Sequence, residues 1–276
     1  MTRLTEKDIK GLTYELKLYD ADLYRKTGMT LLQIACTAAG LSIDYFLQQS
    51  ASKKVAVVPI TVGQGIIGSF ASSIQGVTNY LGFETFVTEE TDVTGIAKGV
   101  INGADILFMA DDNKFIAVNL EKKLIIDNGK ATGRGFVAAM QGLANGLKNK
   151  EVLVIGAGQV GSEAISYLLS IGAKVAFLDS DPMKTKALIE QYPDKLSSLK
   201  IESNLNQALL NYKYIVDACP LAAFMTQDNL HPEAKVAAPG VPLGLTADLY
   251  STYQHNVIHD PLQIGVATML AMAVCQ

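Results

Sequence analysis

The sequence predicts an α/β fold of two domains, of which the C-terminal one is built on a doubly wound parallel sheet. Apolar runs of strand length alternate with helix-length stretches from residue 54 onward, and this alternation is typical of parallel sheets. A glycine-rich turn near residue 156 joins such a run to a helix. The length of 276 residues suits two medium domains, and Asp127-Asn128-Gly129 is a turn signal between them. We therefore expect a smaller N-terminal α/β domain over residues 1–128, a second domain over residues 129–276, and a cleft between them.

The glycine-rich turn has the form Gly-x-Gly-x-x-Gly and directly follows the apolar run 151–155. In this motif the first glycine allows a tight turn, the second lets a pyrophosphate approach the backbone, and the third lets the helix pack on the sheet. The helix N-terminus adds N–H groups and the positive end of a dipole. The second domain is thus predicted to be a Rossmann domain that holds a dinucleotide at Gly156, Gly158, Gln159, Val160 and Gly161.

An acidic residue, Asp179, ends the next apolar run. In that place a carboxylate accepts hydrogen bonds from the adenosine ribose diol and repels a 2′-phosphate. No arginine stands beside it in the sequence, which favours NAD over NADP as the cofactor. The predicted cofactor site also includes Ser180, Cys219 at the end of a later predicted strand, Pro220 after it, and Pro239 after the strand predicted next.

A second motif of the same form occupies residues 63–68. Pro59 removes a backbone donor near the end of the apolar run before it, and central strands tolerate proline badly. Thr61 and Val62 also separate that run from the first glycine. We therefore interpret residues 63–68 as a tight turn before a helix, with dinucleotide binding as the less favoured alternative.

A buried-type strand over residues 104–110 leads into Asp111-Asp112-Asn113. Open α/β sheets bind their ligands at the carboxyl ends of strands, which favours a site for cationic groups here. Aspartate and asparagine also favour turns, because their side chains hydrogen-bond to the nearby backbone. From residue types alone, both interpretations of Asp111 stay open.

The N-terminus shows two helical patterns, residues 5–28 and residues 30–39. Such a pair could be ordinary core packing, a contact in a homodimer, or a cover over a cleft, and core packing is the simplest of these.

Composition sets limits on the class of protein. Apolar residues make up 49% and charged residues 18%, as in compact soluble domains. A net charge of −4 argues against nucleic acid or an anionic membrane as a partner. The start of the chain lacks an apolar signal segment, so we expect a cytoplasmic protein. The cysteines show no disulfide or metal-ligand spacing and are expected to be reduced thiols: Cys36, Cys219 and Cys275.

Three stretches resemble the PylD family of pyrrolysine-biosynthesis dehydrogenases: VVPITVGQGIIGSF (57–70), MADDNKFIAVNL (109–120) and DPLQIGVATML (260–270). The resemblance keeps the same order over essentially the whole chain. The two-domain plan is also similar, more widely, to shikimate and methylenetetrahydrofolate dehydrogenases.

This resemblance implies that NAD oxidises the terminal amine of the isopeptide 3-methyl-D-ornithyl-Nε-L-lysine, with loss of ammonia and closure of the pyrroline ring. It places Leu4, Thr61, Asp111, Asn113 and Asp260 at the substrate, with Asp260 as the candidate proton acceptor. The substrate carries several ammonium groups, which carboxylates bind through charge-assisted hydrogen bonds.

Alternatives to this function remain at this point. The protein could oxidise another small substrate, such as an amino acid or a folate, or could sense NAD without catalysis; the acidic residues 111–113 favour the amine dehydrogenase. Cys219 could be a thiolate nucleophile, but no histidine accompanies it in the sequence. His259 could shuttle protons beside Asp260, although a packed histidine is the simpler interpretation. No histidine has metal-ligand spacing, so no metal site is expected.

Overall fold

The structure is a computed structural model that describes residues 11–63 and 67–275, so the predicted substrate contact Leu4 lies outside the described residues. The chain divides into two compact units. The described residues of the first unit fall within Met1–Tyr24, Met29–Gly135 and Pro261–Gln276, and those of the second are Arg25–Gly28 and Phe136–Asp260. The predicted division instead placed everything from residue 129 to residue 276 in the second domain. The structure differs most at the C-terminal helix, which belongs to the first unit.

The first unit contains a five-stranded sheet in the order β2-β1-β3-β4-β5. Strands β1 to β3 are parallel, whereas β4 pairs antiparallel with both β3 and β5. The last two strands form a hairpin that strand–helix alternation does not predict. The strands are β1 (Lys54–Val57), β2 (Glu84–Val87), β3 (Ile106–Ala110), β4 (Phe115–Asn119) and β5 (Leu124–Asp127).

Local capping signals mark both ends of the helix Leu31–Ala39. Thr30 Oγ1 accepts from the backbone N of Gln33 at 3.2 Å, while Gln33 Oε1 accepts from Thr30 N at 2.7 Å, and Gly40 closes that helix with φ of 72°. The predicted helix 30–39 is confirmed. The helices are α1 (Leu12–Thr27), α2 (Leu31–Ala39), α3 (Ile43–Ser52), α4 (Phe70–Tyr80), α5 (Asp92–Ile101), α6 (Asn128–Ala144, which continues into the second unit) and, near the C-terminus, α11 (Gln263–Val274).

The helix α11 is the centre of the first unit's core, because all 12 of its residues are buried. Glycines allow the backbones of α6 and α11 to approach closely. A Cβ added at Gly135 would overlap Thr268 Oγ1 and lie 2.6 Å from Ile264 Cγ2, and one at Gly265 would lie 2.8 Å from Thr132 Oγ1. The side-chain amide of Asn119, on β4, also reaches α11 and donates a hydrogen bond to the carbonyl O of Ala273 at 2.8 Å.

The second unit confirms the predicted doubly wound parallel sheet. Its six strands run in the order β11-β10-β9-β6-β7-β8, and every pairing is parallel. The chain starts in the middle with β6, builds outward on one side, and returns to build the other side from β9. This is the strand order of dinucleotide-binding Rossmann domains, whose ligands lie where the order reverses, between β6 and β9 here. The strands are β6 (Glu151–Ile155), β7 (Lys174–Leu178), β8 (Leu199–Ile201), β9 (Tyr214–Asp217), β10 (Lys235–Ala238) and β11 (Val257–His259).

Two helices of the second unit begin at a polar side chain that caps them. Asp181 Oδ1 accepts from Met183 N at 2.9 Å with Pro182 in the first turn, and Asn204 Oδ1 accepts from Gln207 N at 3.0 Å. The helices are α7 (Gln159–Ser170), α8 (Pro182–Gln191), α9 (Leu205–Asn211) and α10 (Ala247–Tyr253), with short 3₁₀ turns at Pro193–Ser198 and Gln254–Asn256.

Candidate active site

The glycine-rich turn between β6 and α7 has the geometry that its sequence predicts. Gly156 has φ of 91°, and a Cβ there would lie 2.9 Å from the carbonyl O of Ala218. A Cβ at Gly161 would overlap the carbonyl O of Gly156. In contrast, apart from Gly158 itself and its two chain neighbours, no heavy atom of the described residues lies within 4 Å of the Cβ position of Gly158. The turn is therefore closed on the side of the sheet and open at Gly158, which fits a pyrophosphate.

The first turn of α7 faces this opening. Gly158 is the N-cap, and the helix begins at Gln159 and Val160 and continues for 12 residues. A helix N-terminus attracts anions through its backbone N–H groups and its dipole. The residues present therefore fit the diphosphate of a dinucleotide.

Asp179 follows β7 and is bound to the glycine-rich turn. Its Oδ2 accepts from Ala157 N at 2.7 Å, and its Oδ1 accepts from Asp181 N at 2.8 Å. Lys184, on α8, places its Nζ 3.9 Å from Asp179 Oδ1. Ser180 is exposed beside them. A cation, Lys184, therefore lies near the carboxylate. The residues next to Asp179 in the sequence do not reveal it, because Lys184 belongs to the following helix.

The carboxyl end of β9 holds a buried acid that the sequence analysis did not single out. Asp217 is 0% exposed, and its Oδ1 accepts from Cys219 N at 3.3 Å and from Cys219 Sγ at 3.1 Å. Its backbone O accepts from Gly240 N at 3.2 Å. Burial raises the pKa of Asp217 to about 6. Asp217 therefore links the loop after β9 to the loop after β10, where the predicted cofactor residues Pro220 and Pro239 stand.

The thiol of Cys219 is not activated as a nucleophile. Burial, followed by the charge of Asp217, raises the pKa of Cys219 to about 12. At neutral pH the sulfur keeps its proton and donates a hydrogen bond to Asp217. This geometry does not support the alternative of a thiolate nucleophile.

In the first unit, the loop after β1 lies against the turn after β3. Thr61 N and Thr61 Oγ1 donate to the two carboxylate oxygens of Asp92, at 2.9 and 2.8 Å. Gly63 has φ of 63°, and a Cβ there would overlap Asp112 N and lie 2.6 Å from the carbonyl carbon of Asp111. Thr61 and Asp111 therefore stand at the same edge of the sheet. The first glycine of the second motif packs against backbone, unlike Gly158.

Asp111 forms the turn between β3 and β4. Its Oδ1 accepts from Asn113 N and from Lys114 N, both at 2.7 Å, and its own N donates to Lys114 O at 2.8 Å. These backbone hydrogen bonds lower the pKa of the Asp111 carboxyl group. Asp111 therefore forms the turn that its residue type favours. Its carboxylate is also half-buried and ionised, next to an exposed Asn113.

Asp260 and His259 lie where the chain leaves the second unit. Asp260 follows β11 and is 4% exposed. Nδ1 of His259 lies 2.8 Å from the carbonyl O of Ala238, and because a carbonyl only accepts, that nitrogen carries the hydrogen. This contact ties the imidazole to β10, in agreement with a packed histidine.

Among residues 11–63 and 67–275, His, Cys, Asp and Glu form no group of three or more that could hold a metal ion. Within the same ranges, no helix has both the length and the apolar character needed to span a bilayer.

Solved structures with the same fold include two dehydrogenases. Quinate dehydrogenase from Corynebacterium glutamicum, in complex with NAD, aligns with a TM-score of 0.55 at 12% identity, over 80% of this chain and 92% of that one. Shikimate dehydrogenase from Aquifex aeolicus aligns with a TM-score of 0.53 at 15% identity, over 78% and 88%. At these identities the likeness concerns the fold alone.

Sequence comparison defines the family. Residues 8–126 match the family described as pyrrolysine biosynthesis protein PylD, N-terminal domain, and residues 129–222 match the alanine dehydrogenase/PNT C-terminal domain. The pyrrolysine synthase of Methanosarcina acetivorans is 32% identical over 270 residues, which cover 98% of both chains. That of Methanosarcina barkeri is 31% identical over 98% of this chain and 97% of its own. This identity over nearly the full length of both proteins shows that the chain belongs to the pyrrolysine synthase (PylD) family.

Proposed function

We propose that this protein catalyses the last step of pyrrolysine formation, the oxidation of the terminal amine of 3-methyl-D-ornithyl-Nε-L-lysine, for which NAD would be the oxidant. The observation that carries this proposal is the 32% identity to a pyrrolysine synthase over 98% of the chain. The alignment spans both the first and the second unit. The protein is thus an oxidoreductase of pyrrolysine biosynthesis, and the substrate and the choice of NAD are the proposed parts.

The second unit supplies the cofactor site. Gly158 and the first turn of α7 would hold the pyrophosphate, and Asp179 would bind the ribose diol. Asp179 is oriented for this role by its hydrogen bond from Ala157 N, which fixes it beside the glycine-rich turn. Its charge disfavours a 2′-phosphate, which supports NAD, although Lys184 reduces that repulsion. When bound there, NAD would supply the hydride acceptor for the reaction.

The first unit supplies groups that bind a cation. The Asp111 carboxylate and the Thr61 hydroxyl stand at one sheet edge, and Asn113 belongs to the same turn as Asp111. A substrate ammonium group donates hydrogen bonds only, so carboxylate and hydroxyl oxygens suit it. Leu4 is proposed to lie against the substrate, on the basis of the family resemblance.

The reaction requires a proton acceptor. A carbon–hydrogen bond next to the terminal nitrogen breaks and its electron pair leaves as hydride, so the nitrogen must first lose a proton and expose its lone pair. The resulting C=N carbon is then attacked by the second amine of the ornithyl part, and ammonia leaves as the ring imine forms. We propose that the buried carboxylate of Asp260 accepts the proton that the terminal amine loses.

The test is turnover of synthetic isopeptide that carries deuterium on the carbon bearing the terminal amine. Deuterium should appear in the reduced cofactor, and the product should be lighter by one ammonia and one hydride-plus-proton pair. NADP in parallel, and lysine alone as the substrate, serve as controls. Reduction of NAD without loss of ammonia, or no reduction with the isopeptide, contradicts the proposal.

A further inference from the structure

Asp92, at the start of α5, is held in an unusual conformation beside the loop that carries Thr61. Its φ is 53°, in the left-handed region that non-glycine residues rarely adopt. Its backbone N donates to Pro59 O at 3.0 Å, which ties α5 to the same loop. Strained backbone of this kind persists where neighbouring contacts enforce it, and it concentrates at functional sites.

The carboxylate of Asp92 is surrounded by hydrogen-bond donors. Oδ1 accepts from Thr61 N at 2.9 Å, and Oδ2 accepts from Thr61 Oγ1 at 2.8 Å and from Thr91 Oγ1 at 3.1 Å. The hydrogen bonds from Thr61 lower the pKa of Asp92. An ionised carboxylate only accepts, so the direction of every one of these hydrogen bonds is fixed.

This arrangement determines what the Thr61 hydroxyl can offer to a ligand. A hydroxyl has one hydrogen, and Thr61 gives it to Asp92. Only lone pairs remain for a third group. An ammonium group, which only donates, matches them, whereas a carboxylate ligand would meet lone pairs and two nearby negative charges, Asp92 and Asp111.

We propose that Asp92 is a positioning residue that fixes the Thr61 hydroxyl as a hydrogen-bond acceptor and thereby selects amine-bearing substrates. The inference rests on the proposed function, since it takes Thr61 to contact the substrate. The packing of Gly63 on the backbone of Asp111 and Asp112 holds the loop at the edge where the Asp111 carboxylate stands. Two acceptors are thus presented together.

The decisive variant is Asp92→Asn, which keeps the shape and reverses one hydrogen bond. Asparagine tolerates positive φ better than most residues, so the backbone should be retained. The backbone N of Thr61 can only donate, so it fixes the introduced amide with its oxygen on that side and its NH₂ toward Thr61 Oγ1. The hydroxyl must then accept from this amide and turn its own hydrogen toward the ligand.

We expect the Kd of the isopeptide, measured by calorimetry with NADH bound, to rise about 10-fold in Asp92→Asn, the size of one hydrogen bond to a charged group. The Kd of NAD and the thermal midpoint should change little. Thr91→Ala is the matched control, because it removes a different hydroxyl from the same carboxylate and should bind as the wild type does.

A double-mutant cycle separates this role from a merely structural one. Thr61→Val removes the hydroxyl at nearly constant shape, and adding Asp92→Asn to it should weaken binding by less than about 2-fold. Additive losses would overturn the inference while leaving the proposed function intact. If the Kd values show the expected coupling but the wild type does not oxidise the isopeptide, the proposed function alone would be overturned. A wild-type protein that does not bind the isopeptide overturns both.

Discussion

At the scale of single residues, Asp111 combines a structural hydrogen-bonding role with a charge. Asparagine can accept the same two backbone hydrogen bonds from Asn113 and Lys114 through its Oδ1, whereas alanine cannot. Asp111→Asn should therefore keep the turn and lose only the charge. We expect kcat/KM for the isopeptide to fall roughly 10- to 100-fold, the size of a charge-assisted hydrogen bond, with the NAD Kd and the thermal midpoint unchanged.

Asp111→Ala is the comparison for this prediction. It should lose the turn as well as the charge, so its thermal midpoint should fall below that of Asp111→Asn. If Asp111→Asn has the activity of the wild type, Asp111 serves only the turn between β3 and β4.

The choice of cofactor is also decided by single side chains. Asp179→Ser removes the charge that repels a 2′-phosphate and leaves Lys184 free to attract it. The ratio of kcat/KM for NAD to that for NADP should fall at least 10-fold, roughly the strength of one charged contact. Adding Lys184→Ala should restore part of the ratio by weakening NADP. Equal use of both cofactors by the wild type would contradict the assignment of Asp179.

At the scale of structural elements, the turn between β6 and α7 makes a sharp contrast between two glycines. Gly158 has φ of −72° and an empty Cβ position, so Gly158→Ala should fold normally. Its methyl group would occupy the space assigned to the pyrophosphate, so the Kd of NAD and of ADP-ribose should both rise by about 10-fold or more.

Gly161→Ala is the comparison for the turn. Its Cβ would overlap Gly156 O, so it should lower the thermal midpoint itself. An unchanged NAD affinity in Gly158→Ala would show that the pyrophosphate lies elsewhere.

The contact between α6 and α11 is equally specific. Gly135→Ala should gain about 1 kcal/mol of helix propensity, yet its Cβ would overlap Thr268 Oγ1 and crowd Ile264. Overpacking costs about 1–3 kcal/mol, so after that gain we expect a net loss of up to about 2 kcal/mol in the free energy of unfolding. Urea denaturation measures it. In a Thr268→Ala background the loss should shrink, and an undiminished loss would place the strain at Ile264.

At the scale of the whole molecule, stability should depend on pH through Asp217. Its pKa rises from the ordinary 3.8 to about 6 in the folded protein, so between those values the folded chain binds more protons than the unfolded chain. The free energy of unfolding should therefore fall as pH rises from about 4 to about 6, by up to about 3 kcal/mol. The contribution is fully present below pH 3.8 and is lost as pH passes through about 6.

Asp217→Asn resembles the protonated acid and should lack this dependence. The difference in thermal midpoint between the wild type and Asp217→Asn, measured from pH 4.5 to 7.5, should favour the wild type most at low pH. The exposed Asp194→Asn, measured over the same pH range, is the control. A flat difference for Asp217→Asn would mean that Asp217 is ionised in the folded protein throughout.

The parts of the fold that repeat local signals were predictable from the sequence. Strand–helix alternation and caps such as Thr30 and Asp181 predict the order of elements and the parallel sheet of the second unit. The β4–β5 hairpin and α3 break that alternation, so periodicity does not reveal them. Asp217, Lys184 and Asp92 become informative only through partners distant in sequence or in another element, which single positions do not show. The placement of α11 depends on close packing at Gly135, a tertiary contact.

That placement of α11 has a consequence for protein synthesis. The core of the first unit is completed by residues 263–274, where Asn119 bonds to Ala273 and Lys122 Nζ donates to Val274 O at 3.0 Å. A ribosome must therefore translate the entire second unit before the first can close. Domains commonly fold in the order in which they emerge, from the N-terminus. Here the nascent first unit waits with an open core, so the second unit becomes the first to finish, and chaperone binding during translation should concentrate on the earlier half of the chain.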